Sequence, residues 1–247
     1  MTIPDPPLEP PVATWDLRAG MGPASGDLIG VGADLEPGTL LAAYRLGLFP
    51  MGVGTGGSAP MGWWCPVQRG VIRPGHFHVS RSLRRSAATI TIAVDSAFDA
   101  VVFRCATTHT DGNWITPEIA NAYAALHRLG WAHSIEAWSA GRLVGGVYGV
   151  SIGGLFAGES MFHEATDASK VALAGLAAIL AADGDSRRLI DVQWQTSHLA
   201  TLGAVEIPRS DYLATLSGTL NAPPIRWNAL ANRPWRWTPD GLTGVSI

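Results

Sequence analysis

Two short stretches of this 247-residue chain set a carboxylate among apolar residues at strand spacing. They are Phe156-Ala157-Gly158-Glu159-Ser160-Met161-Phe162 and Leu189-Ile190-Asp191-Val192-Gln193-Trp194. Side chains alternate faces along a strand. That rule predicts Leu189, Asp191 and Gln193 on one face and Ile190, Val192 and Trp194 on the other, so that an acid and an amide stand together. In the first stretch it groups Phe156, Gly158, Ser160 and Phe162, and sets Glu159 with Ala157 and Met161. A carboxylate among apolar neighbours is costly to bury unless it is paired or hydrogen-bonded, so each of the two acids asks for a partner or a task. The structural alternative is an acid at a strand end that caps a loop or pairs with an arginine.

The elements that must position these residues can be read from pattern. Residues 1–13 are Pro-rich and are expected to form a flexible leader, and residues 52–60 a Gly/Ser/Thr loop. Between them Pro37 opens a helix with Leu40, Leu41, Tyr44 and Leu48 at helical spacing, and Gly47 stops it. This first module, residues 14–64, is too small for a large core and must pack on the remainder of the chain, residues 65–247. Thr116-Pro117-Glu118 starts a helix that ends at Gly130. Segments 133–138, 143–150 and 154–162 read as an antiparallel meander with turns at Ala140-Gly141 and Gly153-Gly154. A helix over 167–182 carries Leu173, Leu176, Ala177 and Leu180 on one stripe. After it come the strand through Asp191, a short helix near 197–202 and a last helix from 209. Trp227, Trp235 and Trp237 mark a Pro-containing tail expected to wrap back on the body. The fold class is α+β, a small N-terminal module plus a mixed sheet flanked by helices.

Composition bounds the function. Hydrophobic residues at 47% and charged residues at 15% exclude a disordered chain, and no apolar run reaches the roughly 18 residues of a membrane span. The N-terminus lacks a basic start and an apolar run, so no signal peptide is read and a cytoplasmic location is expected. Two cysteines make no disulfide framework and no cluster has metal-ligand spacing, so neither a metal nor another cofactor is called for. A net charge of −3 argues against an indiscriminate nucleic-acid coat but allows a local basic patch. Arg81, Arg84 and Arg85 come after Ser80 on one helical face; they suit either a solvated surface or the phosphates of a nucleic acid.

The order of elements looks like the acetyltransferase-type (GNAT-type) fold, in which a meander strand leads into a helix that holds acetyl-coenzyme A. The junction here, Phe162 through Lys170, holds Glu164 and Asp167 and no glycine, which is adverse to a pyrophosphate. A second resemblance rests on collinear motifs. Ala33-Asp34-Leu35, Tyr44-Arg45-Leu46-Gly47-Leu48-Phe49-Pro50, Trp63-Trp64-Cys65-Pro66, His78-Val79-Ser80-Arg81-Ser82-Leu83, Trp114-Ile115-Thr116, Leu143 through Val150, Gly158 through Phe162, Leu189 through Gln193 and Leu202-Gly203-Ala204 occur in order. Together they strongly resemble the bacterial leucyl/phenylalanyl-tRNA–protein transferases, over about residues 28–216.

That resemblance implies transfer of Leu or Phe, less readily Met, from aminoacyl-tRNA to the α-amino group of proteins that begin with Arg or Lys, marking them for degradation. The aminoacyl ester carries its own activation, so no ATP is implied. By correspondence, Asp191 and Gln193 handle the attacking amine, and Glu159 reads the acceptor's cationic side chain. Val147, Phe156, Leu173, Leu176 and Ile190 surround the aminoacyl side chain; from pattern alone all five are ordinary core. Trp114 stacks on the terminal adenosine, and Met51 stands where a second aromatic residue is usual, with Trp63 or Trp64 as substitutes or as core. A monomer is expected. The rival functions are an acetyl-coenzyme A-dependent N-acetyltransferase and a non-catalytic tRNA- or peptide-binding module.

Overall fold

The computed structural model describes residues 3–18, 26–108, 114–231 and 233–244. In chain order its elements are β1 (Leu28–Val31), α1 (Pro37–Arg45), β2 (Phe49–Gly52), β3 (Met61–Trp64), β4 (Gln68–Ile72), α2 (Arg81–Ala87), β5 (Thr91–Val94), α3 (Phe98–Thr108) and α4 (Pro117–Arg128). Next come the meander β6 (Ala132–Ser139), β7 (Arg142–Ile152) and β8 (Leu155–His163), then α5 (Ala168–Ala181), β9 (Leu189–Gln193), α6 (Ser197–Ala200), β10 (Val205–Pro208), α7 (Arg209–Leu220), β11 (Trp235–Thr238) and β12 (Gly241–Gly244).

Local signals explain most of these elements. Pro37 occupies the first turn of α1, and Gly47 just past its end has φ +80°, the left-handed conformation that only glycine adopts without strain. The side chains of Ser80 and Thr116 accept from the Leu83 and Ile119 amides and so cap α2 and α4. Ala140 and Gly141 both have positive φ, as a tight two-residue hairpin turn between β6 and β7 requires. In α5, Val171, Leu173, Leu176 and Leu180 are all buried. At about 1.5–3 kcal/mol for each large apolar side chain removed from water, packing rather than helix propensity holds this helix on the sheet.

The strands form two sheets. A three-stranded sheet has the order β1-β3-β2, and a nine-stranded sheet has the order β10-β4-β9-β8-β7-β6-β5-β11-β12. Among the described residues every neighbouring pair is antiparallel except β8 and β9, which are parallel and joined through α5. This is an α+β architecture whose large mixed sheet is acetyltransferase-like. One core joins α1, β2 and β3 to α3, α4, α7 and one face of the large sheet; a second lies between the other face and α5, α2 and the tail. The first module therefore shares its core with the large sheet, as its size requires.

The structure departs from the sequence reading in two places. The expected flexible leader is laid against the body. Leu8 donates its amide to the Leu129 carbonyl and accepts from the Trp131 indole, Glu9 forms a two-pronged ion pair with Arg45, and Asn228 donates to the Ile3 carbonyl. Its prolines leave few backbone donors to satisfy, so a handful of such bonds holds it as an extended strap.

The second departure is in the pleat. Tyr148 pairs with Ser160 and Gly149 with Gly158, so Glu159 is the extra residue of a β-bulge. Phe156 and Phe162 consequently fall into different cores, on opposite faces, although strict alternation puts them together. In β9, Asp191 pairs with Val71 and Gln193 with Gly70, leaving Val192 as a second bulge. Trp194 then packs into the core that holds Leu189, not with Val192.

Gly149 is the residue that lets β7 and β8 approach beside the first bulge. A Cβ there would collide with the Ala157 carbonyl oxygen and come within 2.6 Å of the Phe156 ring. Gly149→Ala is expected to destabilise the protein by roughly 1–3 kcal/mol, as overpacking does. A urea denaturation midpoint equal to that of the wild type would contradict this account of the bulge.

Candidate active site

Arg69 leaves β4 towards the first core and is one of the largest fully buried side chains in the molecule. Its Nε donates to Asp191 Oδ1 at 2.8 Å and its Nη2 to Oδ2 at 2.6 Å. Nη1 donates to the Gly47 carbonyl at 3.0 Å, which ties the end of α1 to the large sheet. The guanidinium also lies between the rings of Phe49 and Tyr212, at 4.9 and 4.4 Å from their centroids. Burial is the largest influence and opposes its charge, but Asp191 and Tyr212 together raise the pKa above the ordinary arginine value.

Asp191 accepts two further bonds, from the Tyr212 hydroxyl at 2.8 Å and from the Gln193 amide at 3.0 Å. Four donors fill the four lone-pair directions of its two oxygens. Asp191 and Gln193 are thus coupled, but not through the simple alternation the sequence suggests. Gln193 sits in the left-handed region at φ +56° at the end of the bulge, and its backbone amide folds back onto the carboxylate. Its carboxamide Nε2 is buried without a hydrogen-bond partner, a donor left open in the site.

Glu159 projects from the bulge of β8 into a cradle of tyrosines. Tyr44 from α1 donates to Oε1 and Tyr123 from α4 to Oε2, both at 2.6 Å, and the two hydroxyls lie 2.6 Å apart. Burial pushes the Glu159 carboxyl up to about 7, the tyrosine bonds pull it down, Asp191 raises it and Arg69 lowers it. Tyr148 from β7 points to the same core with a buried hydroxyl that has no hydrogen-bond partner.

Backbone pairing between β8 and β9 runs only from Leu155–Leu189 to Ala157–Asp191. The two bulges come immediately after its end, so Glu159, Asp191 and Gln193 gather where the parallel strands stop pairing. On the opposite face, Val147, Phe156, Leu173, Leu176 and Ile190 fall together in the core under α5. Met51, in β2, and Trp114, beside the β2–β3 connection, are half-buried. The Met51 carbonyl accepts from the Trp64 indole, and the Gly57 backbone packs on the Trp114 backbone so closely that a Cβ would lie 2.5 Å from Trp114 Cα. Trp63 is core, donating its indole to the Gly32 carbonyl. Arg81, Arg84 and Arg85 are exposed on α2, whose Leu83 and Ala87 face inward. They stand apart from the tyrosine cradle, on a helix packed against α5. At the mouth of α5, Asp167 binds Lys170 and Ser86, so a carboxylate occupies the place where a pyrophosphate would need donors.

The sequence matches two family profiles, "Leucyl/phenylalanyl-tRNA protein transferase N-terminal domain" over residues 33–67 and "Leucyl/phenylalanyl-tRNA protein transferase" over residues 71–217. The chain belongs to the leucyl/phenylalanyl-tRNA–protein transferase family. It is 48% identical over 204 residues to the leucyl/phenylalanyl-tRNA–protein transferase of Anaeromyxobacter sp. (strain Fw109-5), covering 81% of this chain and 85% of that one. The transferase of Paraburkholderia xenovorans is 44% identical over 237 residues, covering 91% of this chain and 90% of the relative. That of Ralstonia pickettii is 41% identical over 239 residues, with 93% of each covered. The two profiles together span β2 and β3 of the small sheet and β5 to β10 of the large one.

Sequence reasoning missed Arg69, Tyr123, Tyr148 and Tyr212 as parts of the site, and read Tyr44 only as an apolar helix position. The available signal was an arginine in the strand-like run Gln68–Ile72, which must find a carboxylate if that run is buried. Asp191→Ala strands the Arg69 charge and is expected to cost about 3–5 kcal/mol in denaturant unfolding. The double variant Arg69→Met/Asp191→Leu should recover much of that loss. Strict additivity of the two single changes would show that the pair is not a coupled unit.

Proposed function

We propose that the chain transfers leucine or phenylalanine, and less readily methionine, from aminoacyl-tRNA to the α-amino group of proteins that begin with Arg or Lys, marking them for degradation in the cytoplasm. The observation that carries this reading is the family match in both modules together with a half-buried acid, Glu159, held by one tyrosine from each. We take residues 14–64 as the small N-terminal domain and 65–247 as the catalytic one, acting as a monomer. Among the described residues no helix is long and apolar enough to cross a membrane.

Aminolysis of the ester requires a neutral amine, and a free α-amino group titrates at about 7.7–8.0. Asp191 and Gln193 serve that amine. With four donors already on its carboxylate, Asp191 contributes orientation, while the unpartnered Gln193 Nε2 donates to a substrate oxygen. Glu159 pairs with the acceptor's cationic side chain. Val147, Phe156, Leu173, Leu176 and Ile190 receive the aminoacyl side chain. Trp114, with Met51, stacks on the terminal adenosine, and Arg81, Arg84 and Arg85 meet acceptor-stem phosphates. The aminoacyl ester brings its own activation, so the reaction as proposed needs no cofactor.

The direct test mixes the protein with radiolabelled leucyl-tRNA and an Arg-starting peptide. Label should enter the peptide without acetyl-coenzyme A or ATP. Asp191→Asn should lower turnover while tRNA binding persists; equal loss of both would sink its assigned role. Glu159→Gln should erode the preference for Arg over Ala at the peptide N-terminus, and an unchanged preference would count against Glu159 as the reader. If Arg81 meets a phosphate, Arg81→Ala should flatten the salt dependence of tRNA affinity by about one unit of log–log slope.

A further inference from the structure

The cradle around Glu159 contains more short oxygen–oxygen contacts than its phenols can bridge. Glu159 Oε1 to Tyr44, Tyr44 to Tyr123, and Tyr123 to Glu159 Oε2 are each 2.6 Å. Each contact needs one proton, because two lone pairs that close repel. Two phenols supply two. Burial, with Glu159 beside them, raises both tyrosines well above the ordinary phenol value, so neither gives up its proton. The third proton must belong to the carboxyl. With it, the circuit closes as Oε1–H to Tyr44, Tyr44 O–H to Tyr123, and Tyr123 O–H to Oε2. Every oxygen then donates or accepts in turn, the arrangement in which hydrogen bonds reinforce one another.

We propose that Tyr44 and Tyr123 hold Glu159 as a neutral acid in a closed hydrogen-bonded ring, and that the acceptor's cationic side chain binds by displacing that carboxyl proton to solvent. The proposal rests on Glu159 being the reader of the acceptor. The balance is simple: the Glu159 O–H bond breaks, the proton leaves to water, and the carboxylate pairs with the incoming guanidinium or ammonium. Tyr44 and Tyr123 then both donate to the ionised acid, each through one of its two oxygens, and their mutual contact opens. They are specificity-determining residues, since a neutral side chain cannot repay the removal of the proton and leaves the ring shut.

The groups facing Glu159 fit this role. Besides Tyr44 on α1 and Tyr123 on α4, Tyr148 on β7 is a neutral phenol raised first by burial. Cys105 on α3, which acts on Tyr148 rather than on Glu159 directly, is pushed up to about 12 by burial and is also neutral. Asp191 on β9 and Arg69 on β4 oppose one another in their effect on Glu159 and are paired together. No cation among them is left over to hold Glu159 ionised. Its value of about 7 agrees with the proton count.

Carbon-13 NMR of the full-length protein labelled at Glu carboxyls, with the Glu159 signal assigned by its loss in Glu159→Gln, tests this without any ligand. At pH 6 the signal should be that of a neutral acid, and it should cross to carboxylate near neutrality; a carboxylate signal at pH 6 overturns the ring. Adding an Arg-starting peptide at pH 6 should convert it to carboxylate. Calorimetry in buffers of different ionisation enthalpy should then count about one proton released at pH 6 and almost none at pH 9. An Ala-starting peptide should do neither. Tyr44→Phe and Tyr123→Phe each remove a donor to the carboxylate, so the crossing should move to higher pH; an unmoved crossing in both denies the tyrosines their part. If Glu159→Gln leaves the Arg preference intact, the acceptor-reader assignment fails. If that preference collapses while wild type releases no proton, the ring alone fails.

Discussion

A guanidinium taken wholly out of water is tolerable only with a carboxylate and filled hydrogen bonds, and Arg69 has both. Its partners come from separate parts of the chain: Asp191 on β9, the Gly47 carbonyl at the end of α1, and the rings of Phe49 on β2 and Tyr212 on α7. One side chain thereby fixes the small sheet, the large sheet and the last long helix relative to one another. Because an unpaired buried charge is so costly, the arrangement is closer to all-or-none than an apolar contact of the same size. The tyrosine cradle depends on it, since Tyr44 lies on the helix whose end Arg69 anchors and Glu159 on the strand beside Asp191.

The second constraint is the pair of bulges just past the last pairing of β8 with β9. A regular pleat would place Glu159 by parity with Ala157 and Met161, and these two lie in opposite cores here. The extra residue in each strand re-aims a side chain without moving the elements, which is the usual use of a bulge beside a site. It also sets polar groups on one face of the sheet directly across from the apolar set under α5. The polar and apolar sets thus face opposite ways at the place where β8 and β9 cease to bond.

Elements with strong local codes were legible: the Pro37 and Thr116-Pro117 helix starts, the Ala140-Gly141 turn and the leucine stripe of α5 all appear where pattern puts them. Strands β1, β4 and β10 are four or five residues long with no clear alternation, and they acquire their identity from the neighbours they pair with. The leader reads as mobile because its prolines resist helix and sheet. Yet the same lack of amide donors lets an extended strap lie on the body with few bonds.

The sequence by itself determined the family, the α+β class, and the identities of Glu159, Asp191 and Gln193 as residues that needed an explanation. It could do so because residue types at fixed spacing survive as a one-dimensional record. Tertiary structure alone decided which arginine answers Asp191, 122 positions away, and which two tyrosines close on Glu159. It also decided that the pleat slips twice. Those outcomes depend on register and on contacts between distant segments, whose energies arise only when the chain has folded and water has been excluded.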